Sequence, residues 1–143
     1  MKGVKEGHIN CGGDIFSFSS KTSTSIIGIV NPINTNDILF SLEVSNASVV
    51  TSGNYYRFFK SGGKKYSHIL NPKNCKPVEN NITSVTVLAP NATLADALST
   101  AVTVLGVDIG IDLINQLPFT EVVIVIKNGE TFFSDDIRVL EKK

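Results

Sequence analysis

Short apolar runs alternate with polar, turn-rich stretches through most of this chain, and only late does the spacing of apolar residues lengthen from two to three or four. Ser25 to Val30 (SIIGIV), Leu39 to Val44 (LFSLEV) and Ser48 to Thr51 (SVVT) are rich in β-branched and apolar residues. Asn31-Pro32 and the polar stretch around Asn34 separate them, so they read as strands of one sheet. Tyr55 to Lys60 and Lys64 to Ile69 flank Ser61-Gly62-Gly63, and a glycine pair supplies the positive φ angles of a tight hairpin, with His68 near its exit. Ser84 to Ala89 (SVTVLA) predicts another strand, closed by Pro90 and Asn91.

From Thr93 to Leu105 the period changes. Leu94, Ala97, Leu98, Ala101, Val102 and Leu105 fall along one helical stripe, and Gly106 stands where helices commonly end. The spacing predicts a helix with Leu94, Leu98 and Leu105 facing the core. Ile109, Leu113 and Leu117 suggest a second helix from Asp108 to about Leu117, with Asp108 as its N-cap and Pro118 beyond its end. Glu121 to Lys127 (EVVIVIK) is almost continuously apolar, as expected of a strand covered on both faces. Asn128-Gly129 then turns the chain into Thr131 to Phe133, a closing hairpin. The class is mixed α/β or α+β, and with no repeat, low-complexity tract or linker the 143 residues read as a single domain.

Composition narrows the function classes. Lysine plus arginine number 13 and aspartate plus glutamate 13, so no excess charge points to a polyphosphate backbone, and nucleic acid is not an expected partner. No apolar run approaches the roughly 20 residues that span a bilayer, and MKGVKEGHIN lacks the apolar stretch of a secretory signal, so the chain is expected to be soluble. Cys11 and Cys75 form neither a disulfide framework nor a metal-ligand spacing, and the cellular compartment stays open. The three Asn-x-Ser/Thr triplets at Asn46, Asn81 and Asn91 read as incidental.

Candidate chemistry sits in four windows. Cys11-Gly12-Gly13-Asp14 follows a strand-like HIN, and paired glycines let a backbone approach a bulky ligand closely; a plain tight turn with a solvated or capping aspartate is the commoner origin. Thr51-Ser52-Gly53 offers hydroxyls and backbone amides to a phosphate, or forms an ordinary turn. His68 has the ordinary pKa of a proton acceptor near neutrality, although a hydrogen-bonded structural histidine is more frequent beside a hairpin. Asp96 and Thr100 stand i, i+4 on one helix face, a pair of hard oxygens suited to magnesium, though such pairs more often make local hydrogen bonds. No Gly-x-Gly-x-x-Gly, Walker loop or Gly-x-Ser-x-Gly is present, which disfavours the common nucleotide and hydrolase folds.

Taken in order, NCGGDI, VVTSGNYYRFF, KYSHILNP and SVTVLAPNATLADALSTAVTVLG resemble the FAD:protein FMN transferase family, also called the ApbE or thiamine-biosynthesis-lipoprotein-like family. Its members show GGDI, ATSGxY, YSHIxDPxTG and a TADALATA-like helix. The resemblance runs from about Ile9 to Phe133 and corresponds to the carboxyl-terminal portion of the family's usual chain, the earlier flavin-contacting segments lying before Met1. The fold it implies is α+β (mixed α/β), a mixed, largely antiparallel sheet with packed helices, ApbE-like and T-fold-like.

The resemblance also implies a reaction: transfer of FMN from FAD to a threonine or serine hydroxyl of a target protein, releasing AMP. It implies Mg2+ on Asp96 and Thr100, FAD contacts from Gly12, Gly13, Asp14, Thr51, Ser52 and Gly53, and His68 as the base for the acceptor hydroxyl. The implied partners are FAD, a flavin-acceptor protein such as a subunit of a respiratory or redox membrane complex, and either the missing amino-terminal half or a second copy. Family members often work outside the cytoplasmic membrane. Departures are Cys11 in place of a frequent alanine, and Asn71-Pro72-Lys73-Asn74-Cys75 in place of DPxTG, which alters local geometry beside His68. Two other readings are an FAD pyrophosphatase, with water as nucleophile, and a non-catalytic flavin-binding fragment.

Overall fold

The two-residue side-chain period of a strand sorts the apolar runs into layers. The computed structural model describes residues 3–21, 23–53 and 58–140. In chain order the strands are Glu6–Cys11 (β1), Asp14–Ser19 (β2), Ser25–Val30 (β3), Ile38–Val44 (β4), Ala47–Gly53 (β5), Phe58–Ser61 (β6), Lys64–Ser67 (β7), Leu70–Asn71 (β8), Lys76–Pro77 (β9) and Ile82–Ala89 (β10). Helices Ala92–Leu105 (α1) and Val107–Asn115 (α2) follow, then strands Glu121–Ile126 (β11), Thr131–Phe133 (β12) and Val139–Leu140 (β13). This is an α+β architecture. A six-stranded sheet, β1-β2-β5-β10-β11-β12, is the central layer, and every described pairing in it is antiparallel.

Two apolar clusters flank that layer. On one side Val50, Val85, Val87, Ile124 and Ile126 pack against Ala95, Val102 and Ile114 of the helices. On the other, Val49 and Val123 meet Ile27, Ile29, Phe40, Leu42 and Val44. The latter come from β3 and β4, which with β13 form a separate three-stranded sheet. Sequence patterning placed β5 with β3 and β4; it pairs instead with β2 and β10. The reason lies in its side chains: Val49 and Val50 are both buried, so both faces of β5 are covered and it belongs inside the molecule. In β3 Ile26, at 68%, and Gly28 are solvent-exposed while Ile27 and Ile29 are buried, which marks an outer layer. β2 (DIFSFS) is a strand that patterning did not predict, while β11 is covered on both faces as expected.

The Ser61-Gly62-Gly63 hairpin forms with φ of 56° and 77° at its glycines. The Tyr55–Arg57 part of the strand expected there lies outside the described residues. α1 starts at its cap, where the Asn91 side-chain oxygen accepts from the Leu94 N–H at 2.9 Å, and Gly106 ends it at φ 90°. Its buried face differs from the expected one. Ala95, Ser99, Val102 and Thr103 face the sheet, while Leu94 and Leu105 are 37% and 40% exposed and Leu98 is half-buried against the core. The buried stripe carries Ser99 and Thr103, whose hydroxyls donate to helix carbonyls and so tolerate burial, an outcome that counting leucines along the stripe does not reveal. The small side chains Ala95 and Ser99 let its backbone approach β5 and β10 closely.

At α2 the expected Asp108 cap is also corrected. Gly106 is the N-cap with no side-chain bond, and Asp108 lies in the first turn, where its charge still favours the positive end of the helix dipole. The helix ends at Asn115, and Leu117 packs on the core from the following link. Gly110 lets α2 cross α1, since a Cβ there would stand 2.7 Å from the Val102 Cγ1. In the link to β11, Phe119 holds φ 56° and is 86% exposed, a backbone state that costs a side-chain-bearing residue roughly 1–2 kcal/mol. Phe119→Gly is therefore expected to raise stability by up to about 1 kcal/mol after the added freedom of the unfolded chain is offset. A higher urea midpoint at constant slope is the expected result, and a lower midpoint would show that the ring makes a stabilising contact.

Candidate functional site

Three chain segments separated in sequence converge on one flank of α1. The first is the β1–β2 turn. Its glycines adopt φ of 69° and 111°, and the Asn10 side-chain oxygen accepts from the Gly13 N–H at 2.9 Å, holding the turn that leads into Asp14. The second is the end of β5, where Ser52 points toward the helix. The third is α1 itself, with Asp96 and Thr100 exposed along the edge beside its buried stripe.

Hydrogen bonds tie the second segment to the third. The buried Ser99 hydroxyl donates to the Asp96 carbonyl at 2.9 Å, so its oxygen accepts from the Ser52 hydroxyl at 2.7 Å. Ser52 in turn lies 3.4 Å from the Thr100 hydroxyl. With its own hydrogen donated to Ser99, Ser52 can only accept from Thr100, which leaves lone pairs of the Thr100 oxygen for a ligand. Thr103 donates to the Ser99 carbonyl at 2.8 Å and braces the same turn of helix. Ser99 was not legible as a site residue in the sequence. Its signal is a hydroxyl on a buried helix stripe, which requires a partner, as does that of Thr103 on the same stripe.

Electrostatics connect the first segment to the third. The Asp14 carboxyl is pushed above its ordinary pKa, first by its partial burial and then by the negative charge of Asp96. Two like charges brought to one flank repel, and a cation between them would relieve that cost. The donors gathered here, two carboxylates and a hydroxyl, are all oxygen and suit a hard cation that keeps water or phosphate in the rest of its shell. Among the described residues no set of three or more His, Cys, Asp or Glu side chains is gathered to hold a metal. The residues thus fit magnesium as a partial ligand set, open to a phosphate ligand.

Other expected residues sit differently. The Thr51 hydroxyl is 2.9 Å from that of Thr86, and the strand period turns it to the sheet face opposite Ser52. Gly53 ends β5 beside them. His68 is exposed on the link between β7 and β8, where the Ile69 N–H donates to the Ser67 hydroxyl at 3.1 Å and Ile69 is buried. The altered Asn71–Cys75 segment makes the turn between β8 and β9, with Cys75 at φ 55°. Cys11 and Cys75 are both free and exposed. A cleft of about 460 Å³ lies between this excursion and the carboxyl end of α1, lined by Tyr66, Asn71, Lys76, Glu79, Asn80 and Leu105 among others, and does not include Asp96 or Thr100.

Comparison with known proteins gives the following. The model of the ApbE family matches residues 1–124. The FAD:protein FMN transferase of Klebsiella pneumoniae (strain 342) is 32% identical over 137 residues, 95% of this chain and 42% of that protein. The protein of the same name from Treponema pallidum (strain Nichols) is 33% identical over 136 residues, 92% of this chain and 38% of that one. Among solved structures, the ApbE protein of Thermotoga maritima superposes with a TM-score of 0.78 at 30% identity, over 91% of this chain and 43% of that one. The apo flavinyl transferase ApbE of Pseudomonas stutzeri gives 0.70 at 29% identity, covering 92% and 41%. The chain thus spans about two fifths of the length of the relatives it matches.

Proposed function

The chain belongs to the ApbE family, and from that premise we propose that it carries the metal and pyrophosphate site of an enzyme transferring FMN from FAD to a threonine or serine hydroxyl of a target protein. The observation that carries this reading is the convergence of Asp14, Ser52, Asp96 and Thr100 on one flank of α1. In this reading Asp96 and Thr100 hold Mg2+. The ion would neutralise charge on the FAD pyrophosphate as its bond breaks. Ser52 orients the Thr100 hydroxyl through the bond network just described. The Gly12-Gly13 turn lets backbone approach the dinucleotide beside Asp14, and Thr51 and Gly53 contribute through their backbone at the end of β5.

His68 is assigned the proton of the acceptor hydroxyl. As the hydroxyl oxygen attacks the flavin-side phosphorus, its O–H bond breaks toward the imidazole, the new P–O bond forms, and the bond to the AMP-side oxygen breaks. AMP leaves and the flavin stays in phosphoester linkage. For His68→Ala we expect turnover slowed on the order of a hundredfold with FAD affinity within about twofold of the parent. Loss of FAD binding instead would make His68 a binding residue.

The test of the function is direct. The chain is incubated with FAD, with and without Mg2+, and AMP and FMN are followed with a candidate flavin-acceptor domain present or absent. Covalent flavin on the acceptor with Mg2+-dependent AMP release is the expected result. AMP release that ignores the acceptor points to a pyrophosphatase, and flavin binding without turnover to a non-catalytic fragment.

A further inference from the structure

Packing alone asks for no hydroxyl at position 99. Ala95, one turn earlier on the same buried stripe, fills an equivalent place, and both residues are 0% exposed. The Ser99 hydroxyl also needs no donor or acceptor from outside its helix, because its hydrogen is already donated to the Asp96 carbonyl at 2.9 Å. Helix serines commonly satisfy themselves by bonding back to the preceding turn. What the fold leaves over is the acceptor side of that oxygen. It faces β5, where it takes the Ser52 hydrogen at 2.7 Å. The three hydroxyls therefore form a chain with one sense of donation: Thr100 to Ser52 at 3.4 Å, Ser52 to Ser99, and Ser99 to a carbonyl that cannot donate in return.

We propose that Ser99 is a positioning residue for the cation on Asp96 and Thr100, acting through Ser52. This role rests on the functional reading, which makes Thr100 a metal ligand. A hydroxyl that ligates a cation gives the ion a lone pair, so its hydrogen must point away, to an acceptor. Ser52 is that acceptor only while its own hydrogen is committed elsewhere. With alanine at position 99 the Ser52 hydrogen is released, and the Thr100 oxygen, the atom the cation needs, is within its reach. Donation in that direction occupies a lone pair of Thr100 and leaves the Thr100 hydrogen without its acceptor. Ser99 thus excludes the hydroxyl orientation that competes with the cation. The far end of the chain adds a second constraint. It begins at the Thr100 side chain and ends on the backbone of Asp96, so one turn of α1 and the end of β5 hold both ligand residues in a closed loop. Thr103, donating to the Ser99 carbonyl at 2.8 Å, steadies that turn.

The experiment measures the dissociation constant of Mn2+ for the whole chain from the EPR signal of the free ion, with no FAD and no turnover, in the parent, Ser99→Ala, Ser52→Ala and the double variant. Ser99→Ala is expected to weaken Mn2+ about tenfold, the usual size for the partner of a metal ligand, with the urea midpoint close to that of the parent. Ser52→Ala is expected to weaken it similarly. The double variant should lose no more than either single one, since both cuts fall in one chain of hydrogen bonds. Ser52 is half-buried near the end of β5, so unchanged affinity in Ser52→Ala overturns the role by itself if Ser99→Ala does not fold. Unchanged Mn2+ affinity in Ser99→Ala, single losses that multiply to about a hundredfold in the double variant, or no Mn2+ binding by the parent chain would each overturn it as well. Failure of the functional reading looks different: Mn2+ affinity follows Ser99 and Ser52 as expected, yet no flavin reaches an acceptor. Flavin transfer with Mn2+ affinity indifferent to Ser99 leaves the function standing and removes the positioning role.

Discussion

Asp96→Ala is expected to reduce Mg2+-dependent AMP release from FAD by on the order of a hundredfold or more while the chain keeps its fold. Both halves of that expectation come from its position. Asp96 is exposed on the edge of α1, beside and not within the stripe formed by Ala95, Ser99, Val102 and Thr103. Its removal leaves no cavity, and its backbone carbonyl still accepts from Ser99. The carboxylate that anchors the ion in the proposed mechanism is lost. An independent readout needs no turnover: since Asp96 is one of the two causes raising the Asp14 pKa, the variant should let Asp14 titrate closer to its ordinary value, with the contribution of burial remaining. Carboxyl NMR titration measures it. Unchanged turnover together with an unchanged Asp14 titration would remove Asp96 from the site.

The largest expected effect on stability is at Ile124. It is fully buried in β11, between β10 and β12, pairs across to Val85 and Phe132, and belongs to the cluster beneath the helices. Ile124→Ala removes apolar volume where strands on both sides and helices above leave little freedom to collapse, at a cost of about 3–4 kcal/mol. For a chain of this size that corresponds to a fall in midpoint of roughly 10 °C. Leu94→Ala is the natural comparison, because sequence patterning also placed Leu94 in the core, whereas in the structure it is 37% exposed. Its cost should be well under half that of Ile124→Ala, and equal costs would show that the outer face of α1 is covered in solution.

Helix α1 shows how far local pattern reaches. Its start, read at Thr93, lies at Ala92 with Asn91 as the cap, a residue the pattern gave to the end of the preceding strand, while its stop at Gly106 depends on groups within one turn and was legible there. The same holds for the Gly62-Gly63 hairpin and for the strand runs, whose boundaries moved by only a few residues. Asp96 and Thr100 were legible as a pair because i, i+4 spacing fixes their common face within a single element.

What the sequence by itself determined, then, was most of the longer local elements, though not β2, together with the glycine turns and the pairs of side chains that share one element, because these depend on interactions between near neighbours along the chain. Only the tertiary structure decided which face of α1 is buried, that β5 pairs with β2 and β10 and not with β3 and β4, and that Asp14, Ser52 and Ser99 join Asp96 and Thr100. Those outcomes depend on which surfaces meet across tens of residues of intervening chain, where small side chains at Ala95, Ser99 and Gly110 permit close approach and two carboxylates are brought near against their own repulsion. No local periodicity encodes such encounters, since they are set by packing between elements.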